Sequence, residues 1–365
     1  MRFLLTPKRS DTYGQDFLAG PMREQCGLSA IDPEDEPAWP STPSLLISQN
    51  PDSKRETDII LALPPQIAAV VHVHCQYDYY NKAQQFNIER SLSRSVFGIT
   101  PAAFSTSQLA RRFPKIAWHT VNNGIDPIRF QPSTLEDRNA WRLERGIVNS
   151  RLLVGFVGRL ETAKGVQLLE DFVRLSEDTR VHLLLQFFAC DEKSSKAAQL
   201  IRKLAPDRVS LYPDSDVSTL RPVRHLDLLL HPSLSEVCPL VVLEALHSGV
   251  PVLATRSTPF YSELEQLSFP NDFIHLIDLP ILSEHTRSKL SVSAEDAKRS
   301  ARHLVEIANN FYPPTDGFRA RLARNVLGCR FSQNKMAASF NQIYSEALEL
   351  HRDRRRTARV DMLPD

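Results

Sequence analysis

Two carboxylates, Glu236 and Glu244, stand on either side of a sequence-marked helix start, within a stretch over 228–255 that reads as strand, loop, helix and strand. Pro239 at the first helical position needs no N–H and presets φ, and Gly249 supplies a left-handed closing residue. The first-turn amides of Leu240, Val241 and Val242 then point back toward the end of the preceding strand, where the helix dipole favours an anion such as a phosphate. Glu236 lies in the loop before that pole and Glu244 within the helix, an arrangement suited to a diphosphate with hydroxyls at each end. An ionised carboxylate accepts from two vicinal hydroxyls at once, so neither glutamate has to act as a nucleophile. A basic pair, Arg159 and Lys164, lies in Gly158-Arg159-Leu160-Glu161-Thr162-Ala163-Lys164-Gly165, where a strand ends and a helix begins. The carboxyl edge of a doubly wound sheet is where such folds bind ligands, and a guanidinium and an ammonium there offset the charge of a leaving nucleoside diphosphate. Taken singly, each of these residues also reads as an ordinary solvated side chain.

Pro232, Ser233, Glu236, Glu244, Gly249, Pro251 and Val252 resemble the signature of the retaining glycosyltransferases of the GT-B fold (glycosyltransferase family 4, the group 1 transferases). Gly158 to Gly165 resembles that family's Gly-Arg-Leu-x-x-x-Lys-Gly, and Asn122-Asn123-Gly124-Ile125-Asp126 with Phe130 and Pro132 resembles the string that closes its first domain. The resemblance implies two Rossmann-like, doubly wound parallel-sheet α/β domains facing across a cleft, the first of them shortened here. It assigns Arg159 and Lys164, with Leu240 and Val241, to the donor diphosphate, Glu244 to the nucleotide ribose, and Glu236 to hydroxyls of the transferred sugar. His74, at the end of an apolar strand, resembles the strand-end histidine that faces that sugar, and Gly14 is aligned with a glycine loop that approaches the donor. A buried structural histidine is the competing reading for His74 and for His72, which shares its side of the strand. The implied activity is transfer of a sugar from a nucleotide-diphospho-sugar to an acceptor hydroxyl with retention, without a metal or a further cofactor.

Positioning these groups takes two domains, which 365 residues can supply, and 42% apolar with 24% charged residues is a globular composition. The expected division is 1–127 for the acceptor side, 128–335 for the donor side, 336–352 for a helix crossing back to the first domain, and 353–365 for a tail, with 351–359 basic and disordered. In the second half, strands are expected at 152–157, 181–186, 209–212, 226–231, 250–254 and 273–277, with helices at 164–175, 194–204, 218–224, 239–248 and 261–266. Continuous apolar strands separated by helices indicate a parallel sheet. In the first half, strands are expected at 2–5, 58–63, 67–75 and 96–99, and helices at 15–26, 87–94 and 100–113, with 32–43 irregular. Beyond 293 the chain reads as helical to 352, with a break near Pro313 and Pro314.

A net charge of +1 gives no case for nucleic acid as the main partner, and five scattered cysteines suit a reduced compartment. The short apolar run at the start and the proline-interrupted run 59–77 point to a soluble, cytoplasmic protein. The acceptor is a glycan, a lipid or a small molecule, and peripheral membrane contact through the basic tail stays open. Asp214 and Asp216 form the one paired carboxylate with a metal reading, but a cap for the helix expected at 218–224 is the favoured account of them, and no metal is expected. Val237-Cys238-Pro239 after Glu236, Phe187-Phe188-Ala189-Cys190 after the second strand and Arg256-Ser257-Thr258-Pro259 all replace glycine-bearing turns of the family. Two alternatives follow: a non-catalytic GT-B-like scaffold that keeps the diphosphate cradle, and a nucleotide-sugar epimerase.

Overall fold

The computed structural model describes residues 1–5, 23–32, 39–149, 151–177, 179–188, 192–214, 222–256, 259–266, 273–279, 292–328 and 331–360. It divides into two compact units, residues 1–124 together with 333–365, and residues 125–332. Each contains a six-stranded, all-parallel sheet with helices in its connections, the architecture of a Rossmann-like α/β domain.

In the first unit the strands are β1 (Arg2–Leu5), β2 (Ser29–Ile31), β3 (Ser44–Ser48), β4 (Ile67–His72), β5 (Phe97–Thr100) and β6 (Ala117–Thr120), in the order β2-β1-β3-β4-β5-β6. Helices α1 (Lys54–Leu61), α2 (Lys82–Ser93) and α3 (Ala103–Arg112) connect β3 to β4, β4 to β5 and β5 to β6. The expected strand at 58–63 is the end of α1. Ser53 caps that helix by accepting from the Glu56 amide, and Glu56, Thr57 and Ile60 form its buried face. A short apolar run does not separate a buried helix face from a strand. The strand belongs instead to Ser44–Ser48, buried along its whole length between its neighbours β1 and β4. Residues 23–26 are helical, as expected for the end of 15–26, while 15–22 lie outside the described residues.

The second unit runs β7 (Leu152–Val157), β8 (Val181–Phe188), β9 (Val209–Asp214), β10 (Leu228–His231), β11 (Val252–Thr255) and β12 (Ile274–Ile277), in the order β12-β11-β10-β7-β8-β9. Its helices are α4 (Leu135–Leu143), α5 (Val166–Leu175), α6 (Glu192–Leu204), α7 (Leu240–His247), α8 (Phe260–Glu265), α9 (Ala294–Asn310) and α10 (Asp316–Gly328). Helix α5 shows the pattern that drives the packing: Leu168, Leu169, Phe172 and Val173 are buried on one stripe, with Glu170, Asp171 and Arg174 off it. The connections leave β7 in one direction and β10 in the other, so the switch point of the sheet lies between these paired strands. Of the expected helix at 218–224, the described part forms a single 3₁₀ turn, Pro222–His225.

The last helix, α11 (Gln333–Val360), belongs to the first unit. Its buried residues Met336, Ala337, Phe340, Ile343, Tyr344, Ala347 and His351 recur at helical spacing. Asn341 accepts from Arg2 at 2.6 Å, and the Ala337 carbonyl accepts from the Cys26 thiol at 3.7 Å. The helix continues through 353–360, where a disordered tail is expected, because arginine-rich sequence propagates a helix whose earlier turns are already anchored. Among the described residues no helix is long and apolar enough to cross a membrane.

Candidate functional site

The carboxyl ends of β7 and β10 bring the basic loop and the acidic loop together. After β7 come Gly158 and Arg159, a 3₁₀ turn Thr162–Lys164, and Gly165, which has φ 76° and opens α5. After β10 come Pro232, Ser233 and Leu234, and the Leu234 amide donates to the Ala163 carbonyl at 2.9 Å. The two backbones approach so closely that a Cβ on Gly165 would lie 2.0 Å from the Pro232 oxygen. Left-handed φ and this contact together require glycine. Gly165→Ala is expected to cost about 1–3 kcal/mol and to displace Lys164 with the turn. A urea midpoint matching that of the parent protein would show that the loops part freely.

With the backbones locked, Lys164 Nζ donates to Glu236 Oε1 in a short, largely buried ion pair. Glu236 has a second neighbour, His231 Nε2 at 3.4 Å, at the end of β10. His231 Nδ1 lies 2.5 Å from the Tyr261 hydroxyl of α8, and its Nε2 is also 3.2 Å from Ser233 Oγ. An ionised carboxylate only accepts, so His231 donates through Nε2 and receives the Tyr261 proton at Nδ1. Burial disfavours the Glu236 charge, but the Lys164 ammonium and the His231 hydrogen bond outweigh it and hold the carboxyl well below the ordinary range. The Thr255 hydroxyl donates to the Ser233 carbonyl at 2.6 Å, tying the acidic loop to the end of β11.

Helix α7 begins just beyond this pair. Pro239 is its N-cap rather than its first residue, and no side chain caps the pole. Val242 is not available there as expected: its amide donates to the Pro239 carbonyl at 3.2 Å, because the first turn is wound tightly. Leu240 and Val241 are the remaining amides of the pole. Glu244 lies inside α7 and is fully buried. Arg159 is half-exposed and pairs with Glu161 at 3.0 Å, on the same loop as Lys164.

In the first unit, His74 follows β4 and its Nε2 lies 2.5 Å from Gln49 Oε1. Burial pushes His74 down to about 4, so the ring is neutral at physiological pH. Gly14 lies outside the described residues, as do Asp216 and residues 189–191, which include part of the replaced turn after the second strand of that half. Among the described residues no group of three or more metal-ligating side chains forms. Sequence reasoning missed His231, Tyr261 and Gln49. His231 carried a signal, a polar residue ending an apolar strand directly before Pro232; Tyr261 and Gln49 are found only through the fold.

Residues 137–269 match the family described as glycosyl transferases group 1. Among characterised relatives, the lipopolysaccharide glucosyltransferase WaaG of Escherichia coli is 29% identical over 184 residues, covering 49% of this chain and 48% of that protein. D-inositol 3-phosphate glycosyltransferase of Corynebacterium jeikeium is 31% identical over 150 residues, covering 39% of this chain and 36% of that protein. The chain thus spans about half or less of the length of these relatives. Among solved structures, sucrose-phosphate synthase from Thermosynechococcus elongatus superposes with a TM-score of 0.72 at 14% identity, over 96% of this chain and 99% of that one. Anabaena Alr3699/HepE in complex with UDP and glucose superposes with a TM-score of 0.68 at 14% identity, over 94% and 99%. At this identity the structural likeness establishes the fold.

Proposed function

We propose, from the match of residues 137–269 to the glycosyl transferases group 1 family within a chain of GT-B fold, that the protein transfers a sugar from a nucleotide-diphospho-sugar to an acceptor hydroxyl, retaining anomeric configuration without a metal. The observation that carries this reading is the meeting of Lys164 and Glu236 at the switch point of the second sheet, on the loop that leads into the uncapped pole of α7. A diphosphate bound there meets the Leu240 and Val241 amides and draws Lys164 into its own charge, while Glu236 keeps His231 as a hydrogen-bond donor. Arg159 adds a second cation from the same loop. The bond from the anomeric carbon to the diphosphate oxygen breaks, the acceptor oxygen bonds to that carbon on the same face, and the acceptor proton passes to the departing phosphate oxygen. Lys164 and the helix pole stabilise the charge that develops as the diphosphate leaves, the role a divalent ion fills in metal-dependent transferases.

Glu244 is read as the ribose partner and His74 as a group that meets the transferred sugar. The acceptor is a glycan, a lipid or a small molecule, and the cytoplasm is the proposed location. UDP-glucose is the first donor to test, since a structural neighbour was solved with UDP and glucose. Calorimetry with UDP, GDP and ADP, followed by mass spectrometry of products from intact donors and an acceptor panel, tests the proposal. Transfer to an acceptor supports it. Binding without turnover points to a scaffold, and release of an altered sugar without an acceptor points to an epimerase. Glu244→Gln is expected to weaken nucleoside diphosphate affinity about tenfold with turnover at saturation kept, whereas His74→Gln lowers kcat with that affinity kept. The opposite split refutes the assignment of the two roles.

A further inference from the structure

A polar chain in the first unit runs from the carboxyl edge of its sheet to the last helix. His74 Nε2 is 2.5 Å from Gln49 Oε1, Gln49 Nε2 is 3.3 Å from His72 Nδ1, and His72 Nε2 is 3.1 Å from the Tyr344 hydroxyl of α11. An amide oxygen only accepts and an amide nitrogen only donates, so the chain has a direction. His74 must carry its proton on Nε2, and His72 must present a bare Nδ1. Burial, with His74 as a smaller cause, holds His72 well below its ordinary value, and burial alone lowers His74. Each neutral ring therefore has a single proton. His72 keeps its own on Nε2 and donates it to Tyr344, and His74 is left with Nδ1 as its acceptor.

The parts of this chain are held independently of one another. Gln49 lies one step beyond the last paired residues of β3 and β4, Ser48 and Val71. Its two sequence neighbours bind one buried carboxylate: Ser48 Oγ donates to Glu56 at 2.5 Å, and Asn50 donates to it through its backbone amide and its side chain, each at 3.1 Å. The Gln49 backbone is thus pinned from both sides. On the far side, the His72 ring packs against Phe340 at 5.1 Å between centroids, and Phe340 stacks on Tyr344 at 5.6 Å and 10°.

We infer that Gln49, backed by His72 and Tyr344, is a positioning residue that locks His74 in the Nε2–H tautomer, so that its Nδ1 accepts a hydrogen bond from a hydroxyl of a sugar or other polyol. A neutral ring that offers a lone pair attracts O–H and repels the oxygens of a phosphate or carboxylate. That this hydroxyl belongs to the transferred sugar rests on the glycosyltransferase reading; the tautomer does not.

Long-range ¹H–¹⁵N correlation on the full-length, histidine-labelled protein tests the inference, with His74→Gln assigning the resonances. His74 Nδ1 is expected at the shift of an unprotonated ring nitrogen, and Nε2 at that of a protonated one. Gln49→Leu is expected to move both toward the averaged shifts of a tautomer mixture. It is also expected to lower kcat/KM for the nucleotide-sugar about tenfold, with affinity for the nucleoside diphosphate alone unchanged. A protonated Nδ1 on His74 in the parent protein overturns the inference, as do unchanged His74 shifts in Gln49→Leu. Should Gln49→Leu fail to fold, the parent spectrum still decides. Absence of turnover with every donor, beside the expected spectrum, refutes the transferase reading and leaves the tautomer assignment standing.

Discussion

Asp227→Ala is expected to destabilise the second domain by about 3–5 kcal/mol, because it strips the counter-ion from buried guanidinium groups. Asp227 immediately precedes β10 and is 2% exposed. Its Oδ2 pairs with Arg142 of α4 at 2.8 Å and accepts from the Leu153 amide of β7 at 2.9 Å, while Oδ1 lies 3.6 Å from Arg319 of α10. Arg319 is fully buried; that burial, with Arg138 nearby, presses it down to about 9 even though Asp227 opposes the shift. Arg319 also donates to the Leu226 carbonyl at 2.5 Å and the Arg224 carbonyl at 3.3 Å, and its backbone lies where a Cβ on Gly249 would reach within 2.6 Å. One carboxylate thus joins two helices to the amino ends of β7 and β10, the strands whose opposite ends carry the candidate site. Removing it leaves two cations and an amide without their anion, among groups that are almost wholly buried. Asp227→Asn keeps an acceptor for Leu153 and Arg142 and is expected to lose clearly less, which separates charge from hydrogen bonding. Urea denaturation of both variants checks this. A loss below about 1 kcal/mol in Asp227→Ala would mean that the guanidiniums find other anions or water.

The second sheet was readable because its interior strands are apolar-rich runs buried on both faces, and a helix such as α5 shows one-sided burial at Leu168, Leu169, Phe172 and Val173. Parallel order then forces the loops after β7 and β10 to be neighbours, which makes a meeting of Lys164 and Glu236 foreseeable in kind. Their direct pairing was not foreseeable, since it depends on the contact between the Leu234 amide and the Ala163 carbonyl that sets the two loops side by side. The first sheet was harder to read. The exposed or half-exposed residues of β6, Ala117–Thr120, offer no apolar run, and β3 is a five-residue segment between Pro43 and Pro51. Gln49 belongs to no motif and gains its meaning only from the β3–β4 register that sets it beside His72 and His74. Tyr261 likewise depends on where α8 packs against the end of β10.

Lys164→Met is expected to lower kcat about 10²–10³-fold, the usual cost of deleting one preorganised group aimed at developing charge. The same change exposes what Lys164 does for the fold. Glu236 is 13% exposed and Lys164 21% exposed, so the pair is partly screened and its loss is expected to cost about 1–3 kcal/mol at neutral pH, less than a fully dry pair would. The pH dependence fixes the sign. In the parent protein the folded carboxyl titrates below the unfolded one, so the pair's contribution is complete above the unfolded value of about 4.3 and is lost as pH falls toward the folded value. Without Lys164, the largest influence opposing burial is gone and the Glu236 carboxyl rises. The stability deficit of the variant is therefore expected to be widest near pH 7 and to narrow steadily below pH 4. Lys164→Arg retains a cation but replaces a point charge on a flexible stem with a planar fork, and is expected to restore stability better than kcat. Denaturation midpoints across this pH range, measured beside saturating-donor kinetics, decide the matter. A deficit independent of pH, together with kcat within about threefold of the parent, would remove Lys164 from both roles and with it the electrostatic account of leaving-group departure.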